Sequence, residues 1–222
     1  MNRAADLSAM HAGFADVALG SHAAFRAGLD ALSHPGTIVE IANDHTSPDG
    51  LDAAASALLL ALLDPDTRLW VAPALEKSAF YLRFHTGCAL APKPIDADYV
   101  LADTFRALPA LCELRWGTED YPDRSSTVVV QSMGLYPHGQ WTLTGPGIAC
   151  RASLGVPDAP ASFHQQWAAN HRAFPRGIDL FVTSGNKLVA LPRTTHIEAG
   201  VSWTDSSGPA GSAYSPSRSI DS

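Results

Sequence analysis

The chain has 222 residues, of which 46% are hydrophobic and 17% are charged, and its formal net charge is -7. A chain of this length buries about 70% of its unfolded surface, so it needs neither disulfides nor a structural metal to form a core. Its negative charge excludes the basic surface that gathers nucleic acid or anionic lipid, and neither partner is expected. An anionic substrate would have to be bound locally by a few arginines, histidines and backbone amides.

Cysteine usage and the apolar runs predict a soluble protein of the cytoplasm. The cysteines are odd in number and too widely spaced for a zinc or redox motif; they are Cys88, Cys112 and Cys150. Asp6 and Asp16 interrupt the apolar stretch that a secretory signal would need. The longest apolar-rich run, residues 53–63, is shorter than the ~18 to 20 residues that cross a bilayer, so no membrane partner is expected.

Apolar residues spaced three and four apart predict two helices near the start of the chain. The first covers residues 21–33, with Ser21 as its N-cap, and ends at His34-Pro35-Gly36. The second covers residues 52–63 and ends at Asp64-Pro65-Asp66.

Two short strands and a longer helix are expected next. Residues 69–72 form one strand, and residues 80–86, where apolar and polar side chains alternate, form another. Residues 99–114 are expected to be helical, with a kink or break at Pro109.

The second half of the chain predicts more strands and one further helix. Strands are expected at residues 127–132 and 141–144, and a helix at residues 162–174. Residues 178–183 and 188–191 form a hairpin, since the intervening residues suit a tight turn.

The antiparallel hairpin argues against a purely parallel sheet. We therefore expect an α/β fold with a mixed sheet flanked by helices, in one domain over residues 1–198. Residues 199–222 are rich in Ser and Gly and are predicted to form a disordered tail.

Arg83 and His85 are the first candidate anion ligands. On a strand they would project from the same face, followed by Thr86, and could bind a phosphate or phosphonate. A solvated sheet face or a structural salt bridge explains the same pattern equally well.

Gly145 and Gly147 follow a predicted strand but lack the spacing of a nucleotide-binding loop. A tight structural turn is favoured over a phosphate contact there. Arg193, Thr194 and Thr195 also follow a strand, where free amides and hydroxyls suit an anion pocket. A polar loop leaving the core is the slightly favoured alternative.

No residue pattern predicts a resident cofactor, a metal or a catalytic group. The nine histidines lack metal-binding spacing. A pyridoxal phosphate (PLP) enzyme needs a desolvated lysine, whereas Lys77, Lys93 and Lys187 lie in polar turns or between prolines. The acidic residues border turns and receive no catalytic role.

Several blocks, taken in order, resemble the PhnH family of the carbon-phosphorus lyase system. They are Phe25-Arg26, Ser33-His34-Pro35-Gly36, residues 82–87, Tyr121-Pro122-Asp123, residues 143–148, residues 174–180 and residues 191–196. The resemblance spans roughly residues 20–198, and its last two blocks are the most specific.

The resemblance implies a fold similar to the major domain of PLP-dependent transferases, without PLP, and a homodimer that joins PhnG, PhnI and PhnJ. With PhnG, PhnI and PhnL, such a subunit is required to transfer the ribose triphosphate of ATP to methylphosphonate, releasing adenine. ATP is then a substrate of the complex. The alternative is a non-catalytic interaction subunit that holds the assembly together.

Overall fold

A mixed seven-stranded sheet and a smaller antiparallel sheet organise the molecule, which is described by a computed structural model over residues 12–41 and 45–199. Within these residues the strands are β1 (Val39–Glu40), β2 (Arg68–Val71), β3 (Ala89–Leu90), β4 (Tyr99–Ala102), β5 (Thr127–Gln131), β6 (Tyr136–Thr144), β7 (Ala152–Gly155), β8 (Asp179–Ser184), β9 (Lys187–Leu191) and β10 (His196–Ala199). The α-helices are α1 (Val17–Ser33), α2 (Ala53–Leu62), α3 (Glu76–Thr86) and α4 (Ala161–Arg172).

The large sheet has the order β1-β9-β8-β5-β4-β2-β3, with β3, β2, β4, β5 and β8 parallel. The β8–β9 hairpin and β1 add antiparallel pairs, which confirms the mixed sheet. The small sheet has the order β10-β6-β7.

The large sheet is covered on both faces. In β5, Val129 contacts the core beneath α1, α2 and α3, whereas Val128 and Val130 face the opposite core. The second core also contains Trp141 of the small sheet and Trp167 of α4. This burial on both faces explains the uninterrupted apolar runs of the central strands.

Small residues allow the helix layer to pack tightly. A Cβ at Gly28 of α1 would lie 2.9 Å from the Leu58 side chain of α2. All six residues from Ala54 to Leu59 are buried, so α2 is enclosed by the sheet and its neighbouring helices. No helix in the described parts of the chain is long and apolar enough to cross a membrane.

Most predicted elements are confirmed, with small shifts at their ends. These are the first two helices, the strands near residues 69, 127 and 141, the last helix and the hairpin. The first helix starts earlier than predicted, because Asp16 rather than Ser21 caps it. The Asp16 carboxylate accepts from the amides of Ala18 and Leu19, each at 3.0 Å.

Two predicted elements are wrong. Residues 80–86 belong to helix α3, which buries Ser78, Ala79, Tyr81 and Leu82 and ends at Gly87 with φ 76°. The apparent alternation arose because Phe80 and Phe84 lie on the exposed side of this helix.

Residues 99–114 do not form a helix either. They contain strand β4 and a loop with a short 3-10 helix at Leu111–Glu113. The apolar residues of β4 lie between parallel neighbours β2 and β5, and tertiary packing there outweighs helix propensity. The predicted disorder of residues 199–222 lies, beyond Ala199, outside the described residues.

Candidate functional site

Arg193 lies at the centre of a contact region where the later sequence blocks meet. Its Nε donates to Oδ1 of Asp179 at 3.2 Å, and its Nη2 donates to Oδ2 at 2.6 Å. Nη2 also donates to Ser125 Oγ at 2.7 Å, while Nη1 donates to the carbonyls of Pro122 (2.9 Å) and Pro175 (3.3 Å). Together these residues form what we call the Arg193 clamp.

The clamp uses every guanidinium donor. Arginine has five N–H groups, and here they meet five acceptors. The Arg193 backbone amide also donates to Asp179, at 2.8 Å. The expected anion pocket therefore does not match this geometry, because a phosphate would have to displace existing bonds. The side chain instead joins its own loop to two others, which precede β5 and β8 at the amino-terminal edge of the parallel strands.

Helix α4 reinforces the same region with three polar side chains. The buried Asn170 amide donates to the Ile178 carbonyl at 3.0 Å and accepts from the Ile178 amide at 2.8 Å. Trp167 Nε1 donates to the Thr195 carbonyl at 2.8 Å. His171 Nδ1 lies 3.2 Å from the Arg193 carbonyl. The chain on both sides of the clamp is thus fixed by hydrogen bonds.

Gly145 and Gly147 join this region through close backbone packing. Both have positive φ, 137° and 81°. A Cβ at Gly145 would lie 2.8 Å from the Thr194 carbonyl oxygen, and one at Gly147 would lie 2.5 Å from the Ser33 carbonyl oxygen. These contacts explain why glycine occurs at both positions and favour the structural turn considered above.

The two threonines after Arg193 are placed differently. Thr194 is half-buried, and its carbonyl faces Gly145. Thr195 is fully buried, and its hydroxyl has no hydrogen-bond partner among the described residues. Neither forms an open strand end lined with free donors.

Helix α3 carries Arg83, His85 and Thr86, and these three residues are not part of the Arg193 clamp. Residues two apart on a helix point in nearly opposite directions, so Arg83 and His85 do not form the expected pair on one face. The His85 ring contacts those of Tyr81 and Phe84. Thr86 Oγ1 donates to the Leu82 carbonyl at 2.8 Å, which is a local helix-end contact.

A polar network at the opposite edge of the sheet was missed by the sequence reasoning. Gln131 accepts from the Asp52 amide at 2.6 Å and donates to the Gly50 carbonyl at 2.9 Å. The Asp52 carboxylate accepts from the Thr183 hydroxyl at 2.9 Å. Burial raises the pKa of Asp52, while the bond from Thr183 opposes that rise. In the sequence, the one feature that points to this network is Asp52 at the predicted start of a helix.

Helices α1 and α3 carry large apolar side chains on their outer sides. Phe25 and Leu29 of α1 are 44% and 48% exposed, although the same helix buries Gly20, Ala24, Gly28 and Ala31. Phe80 and Phe84 of α3 are 56% and 59% exposed. We call Phe25, Leu29, Phe80 and Phe84 the helix face. Each helix thus exposes two large apolar side chains one turn apart, and such exposed apolar side chains are candidates for a surface that another protein covers.

The described residues contain no group of three or more His, Cys, Asp or Glu side chains placed to hold a metal.

The chain is similar to proteins of bacterial phosphonate metabolism. The family described as bacterial phosphonate metabolism protein (PhnH) matches residues 12–198. A protein of Rhizobium meliloti (strain 1021), alpha-D-ribose 1-methylphosphonate 5-triphosphate synthase subunit PhnH, is 35% identical over 187 residues, covering 83% of this chain and 94% of that protein. Putative C-P lyase subunit protein HtxG of Stutzerimonas stutzeri is 36% identical over 176 residues, covering 78% and 84%.

Proposed function

Because the chain belongs to the PhnH family of bacterial phosphonate metabolism proteins, we propose that it is a subunit of the carbon-phosphorus lyase system. In this role it acts in the cytoplasm with PhnG, PhnI, PhnJ and PhnL. The complex transfers the ribose triphosphate of ATP to methylphosphonate and releases adenine. The name and the 94% coverage of the Rhizobium relative support this proposal.

Between the two roles considered for this subunit, the geometry favours the interaction role. The guanidinium of Arg193 is already engaged by protein acceptors, and Arg83 and His85 diverge on a helix. The lysines do not suggest PLP chemistry, since Lys77 and Lys93 are exposed and Lys187 Nζ lies 3.9 Å from Glu40. A fold relation to the major domain of PLP-dependent transferases remains part of the proposal, supported by the mostly parallel sheet.

The observation that carries the interaction role is the helix face. Helix α1 packs glycines and alanines inward and leaves Phe25 and Leu29 partly exposed to solvent. The exposed parts of these two side chains contribute little to the stability of an isolated chain. We propose that a second copy of this chain covers the helix face. A two-fold dimer brings the same patch of each copy together, so a single apolar surface suffices for both.

The pathway is tested by reconstitution. The other subunits are co-expressed with and without this chain, supplied with ATP and methylphosphonate, and assayed for adenine and for the phosphonate ester by phosphorus NMR. Product is expected only when the chain is present. Equal product without it would contradict the proposed function.

The interface is tested by Leu29→Glu, with Met133→Glu as the control because Met133 is 80% exposed outside the helix face. Light scattering should show a dimer for the unmodified chain and the control, and a monomer for Leu29→Glu. A dimer in all three would refute the second-copy interface. Loss of another subunit from a persisting dimer would assign the face to that subunit instead.

A further inference from the structure

Two histidine rings contact each other where helix α4 meets strand β10. His171 lies half-buried in the last turn of α4, and His196 is the exposed first residue of β10. Their ring centroids are 5.5 Å apart, and their planes are inclined by 62°. Imidazole nitrogens are ligands for divalent transition metals such as zinc, nickel and copper. The two residues are distant in the sequence, so their spacing there does not predict that they meet.

The hydrogen bond of His171 determines which of its nitrogens can bind a ligand. Nδ1 lies 3.2 Å from the Arg193 carbonyl oxygen, and a carbonyl oxygen only accepts hydrogen bonds. Nδ1 therefore carries the hydrogen, and in the neutral ring Nε2 keeps an unshared electron pair. Histidines that bind metals are usually held in this way, with the second ring nitrogen donating to a carbonyl or a carboxylate. His171 thus has the tautomer that a metal ligand needs.

The elements that carry the two rings are fixed to each other. Trp167, one turn before His171 on the same side of α4, donates from Nε1 to the Thr195 carbonyl at 2.8 Å. Thr195 directly precedes His196, and Ile197 on the other side of His196 packs into the core that also contains Trp167. The backbone positions of both histidines are therefore set before a ligand binds, which lowers the cost of binding.

The separation of the rings suits a shared metal ion. Zinc lies about 2 Å from an imidazole nitrogen, so two rings that bind one tetrahedral ion have centroids about 5 Å apart. The observed separation of 5.5 Å is close to this value. Among the described residues, the His196 ring takes part in no hydrogen bond or ion pair. Rotation of a histidine ring about its Cβ–Cγ bond is easy, so His196 can turn a nitrogen towards Nε2 of His171.

Two arginines in this region have carboxylate partners. Arg193 Nη2 lies 2.6 Å from Asp179 Oδ2, and Arg151 Nη2 lies 3.6 Å from Glu198 Oε2. Glu198 is on the same face of β10 as His196, because strand residues two apart share a face. The positive charges of these arginines are thus largely balanced and oppose a bound cation only weakly.

We propose that Nε2 of His171 and a ring nitrogen of His196 bind one divalent transition-metal ion, with zinc as the type case. The protein supplies two ligands, because no third His, Cys, Asp or Glu of the described residues is placed to join them. The remaining positions of a four-coordinate ion are open to water, and they face solvent because His196 is exposed. The ion joins α4 to β10 beside the Arg193 clamp, whatever the role of the chain in phosphonate metabolism.

Zinc titration of the untagged full-length chain tests the site. Every variant also carries Cys112→Ser and Cys150→Ser, because these exposed thiols can bind zinc themselves. Calorimetry should show a bound ion whose affinity falls by about ten-fold or more in His196→Ala. His138→Ala is the matched control, since it removes another exposed histidine of the small sheet and should leave the affinity unchanged. Absence of binding, or equal affinity in all three proteins, would overturn the proposal.

Nitrogen NMR of the imidazole rings identifies the atoms that bind the ion. Zinc should shift Nε2 of His171 and one ring nitrogen of His196, while Nδ1 of His171 keeps its hydrogen and its bond to the Arg193 carbonyl. Zinc bound through other histidines, with these two rings unchanged, would refute the site. A zinc-induced loss of the hydrogen on Nδ1 of His171 would refute the assigned tautomer and, with it, the proposed geometry.

Discussion

The Arg193 clamp and the helix face differ in what they leave available for a partner. In the clamp, every guanidinium hydrogen already has a protein acceptor, and the loops that meet there are locked together. On the helix face, four large apolar side chains remain exposed although the helices beneath them are well packed. The last two sequence blocks therefore maintain the fold, whereas the exposed side chains of α1 and α3 form the surface that we propose for assembly.

The largest expected effect comes from removing the centre of the clamp. Arg193→Ala leaves the Asp179 carboxylate without its ion pair and frees the loops at Pro122 and Pro175, so unfolding should become easier by about 3 kcal/mol. Chemical denaturation measures this. Arg193→Lys should recover only part of the loss, because an ammonium group cannot reach all five acceptors. Unchanged stability with lost activity would return Arg193 to substrate binding.

A smaller loss is expected where α4 holds the chain that enters β8. Asn170→Ala removes both bonds to Ile178 and leaves buried backbone groups unpaired, which should cost about 2 kcal/mol. The same denaturation experiment applies, with the exposed neighbour Arg172→Ala as control. If both variants behaved alike, the hydrogen bonds to Ile178 would not matter to the fold.

Substitutions in the helix face, unlike those in the clamp and at Asn170, should leave the stability of the single chain almost unchanged. Phe84→Ser in the Leu29→Glu monomer should change the free energy of unfolding by less than about 0.5 kcal/mol, because the ring packs little within one chain. Phe163→Ser, at a buried residue of α4 that packs into the core, is the contrasting variant and should be strongly destabilising. A large loss from Phe84→Ser would mean that the face stabilises the monomer.

The smallest effect concerns Asp52 at the start of α2. Its folded-state pKa is raised by burial, so its protonated form is favoured in the folded chain, and the resulting stabilisation is lost as the pH rises through that pKa. Asp52→Asn should therefore gain stability relative to the unmodified chain between about pH 4 and neutrality. Denaturation at a series of pH values measures the difference. A gain towards acid would show the opposite pKa shift.

Sequence patterns predicted an element correctly where its own side-chain periodicity was clear. They failed where contacts with other elements of the fold determined the secondary structure. The central strand at β5 and the hairpin at β8 and β9 were predictable from apolar runs and turn residues. Helix α3 was mistaken for a strand because its exposed phenylalanines imitated alternation. Strand β4 was mistaken for a helix because only its parallel neighbours reveal it.

The candidate site was harder to predict for a related reason. Arg193, Thr194 and Thr195 were correctly placed after a strand, but the acceptors around Arg193 come from two separate loops and from the first residue of β8. Their convergence depends on the whole fold rather than on local spacing. Asp179 was part of a recognised block, yet nothing in its neighbours along the chain indicated that it would pair with Arg193.

Helix α2 has a consequence for how the molecule opens in solution. Six consecutive residues, Ala54 to Leu59, are shielded from solvent by the sheet and by the helices on either side. Deuterium can reach their amide hydrogens only when that whole layer separates from the sheet. Their exchange rate therefore reports global unfolding and should stay the slowest in the chain whether or not another protein is bound outside.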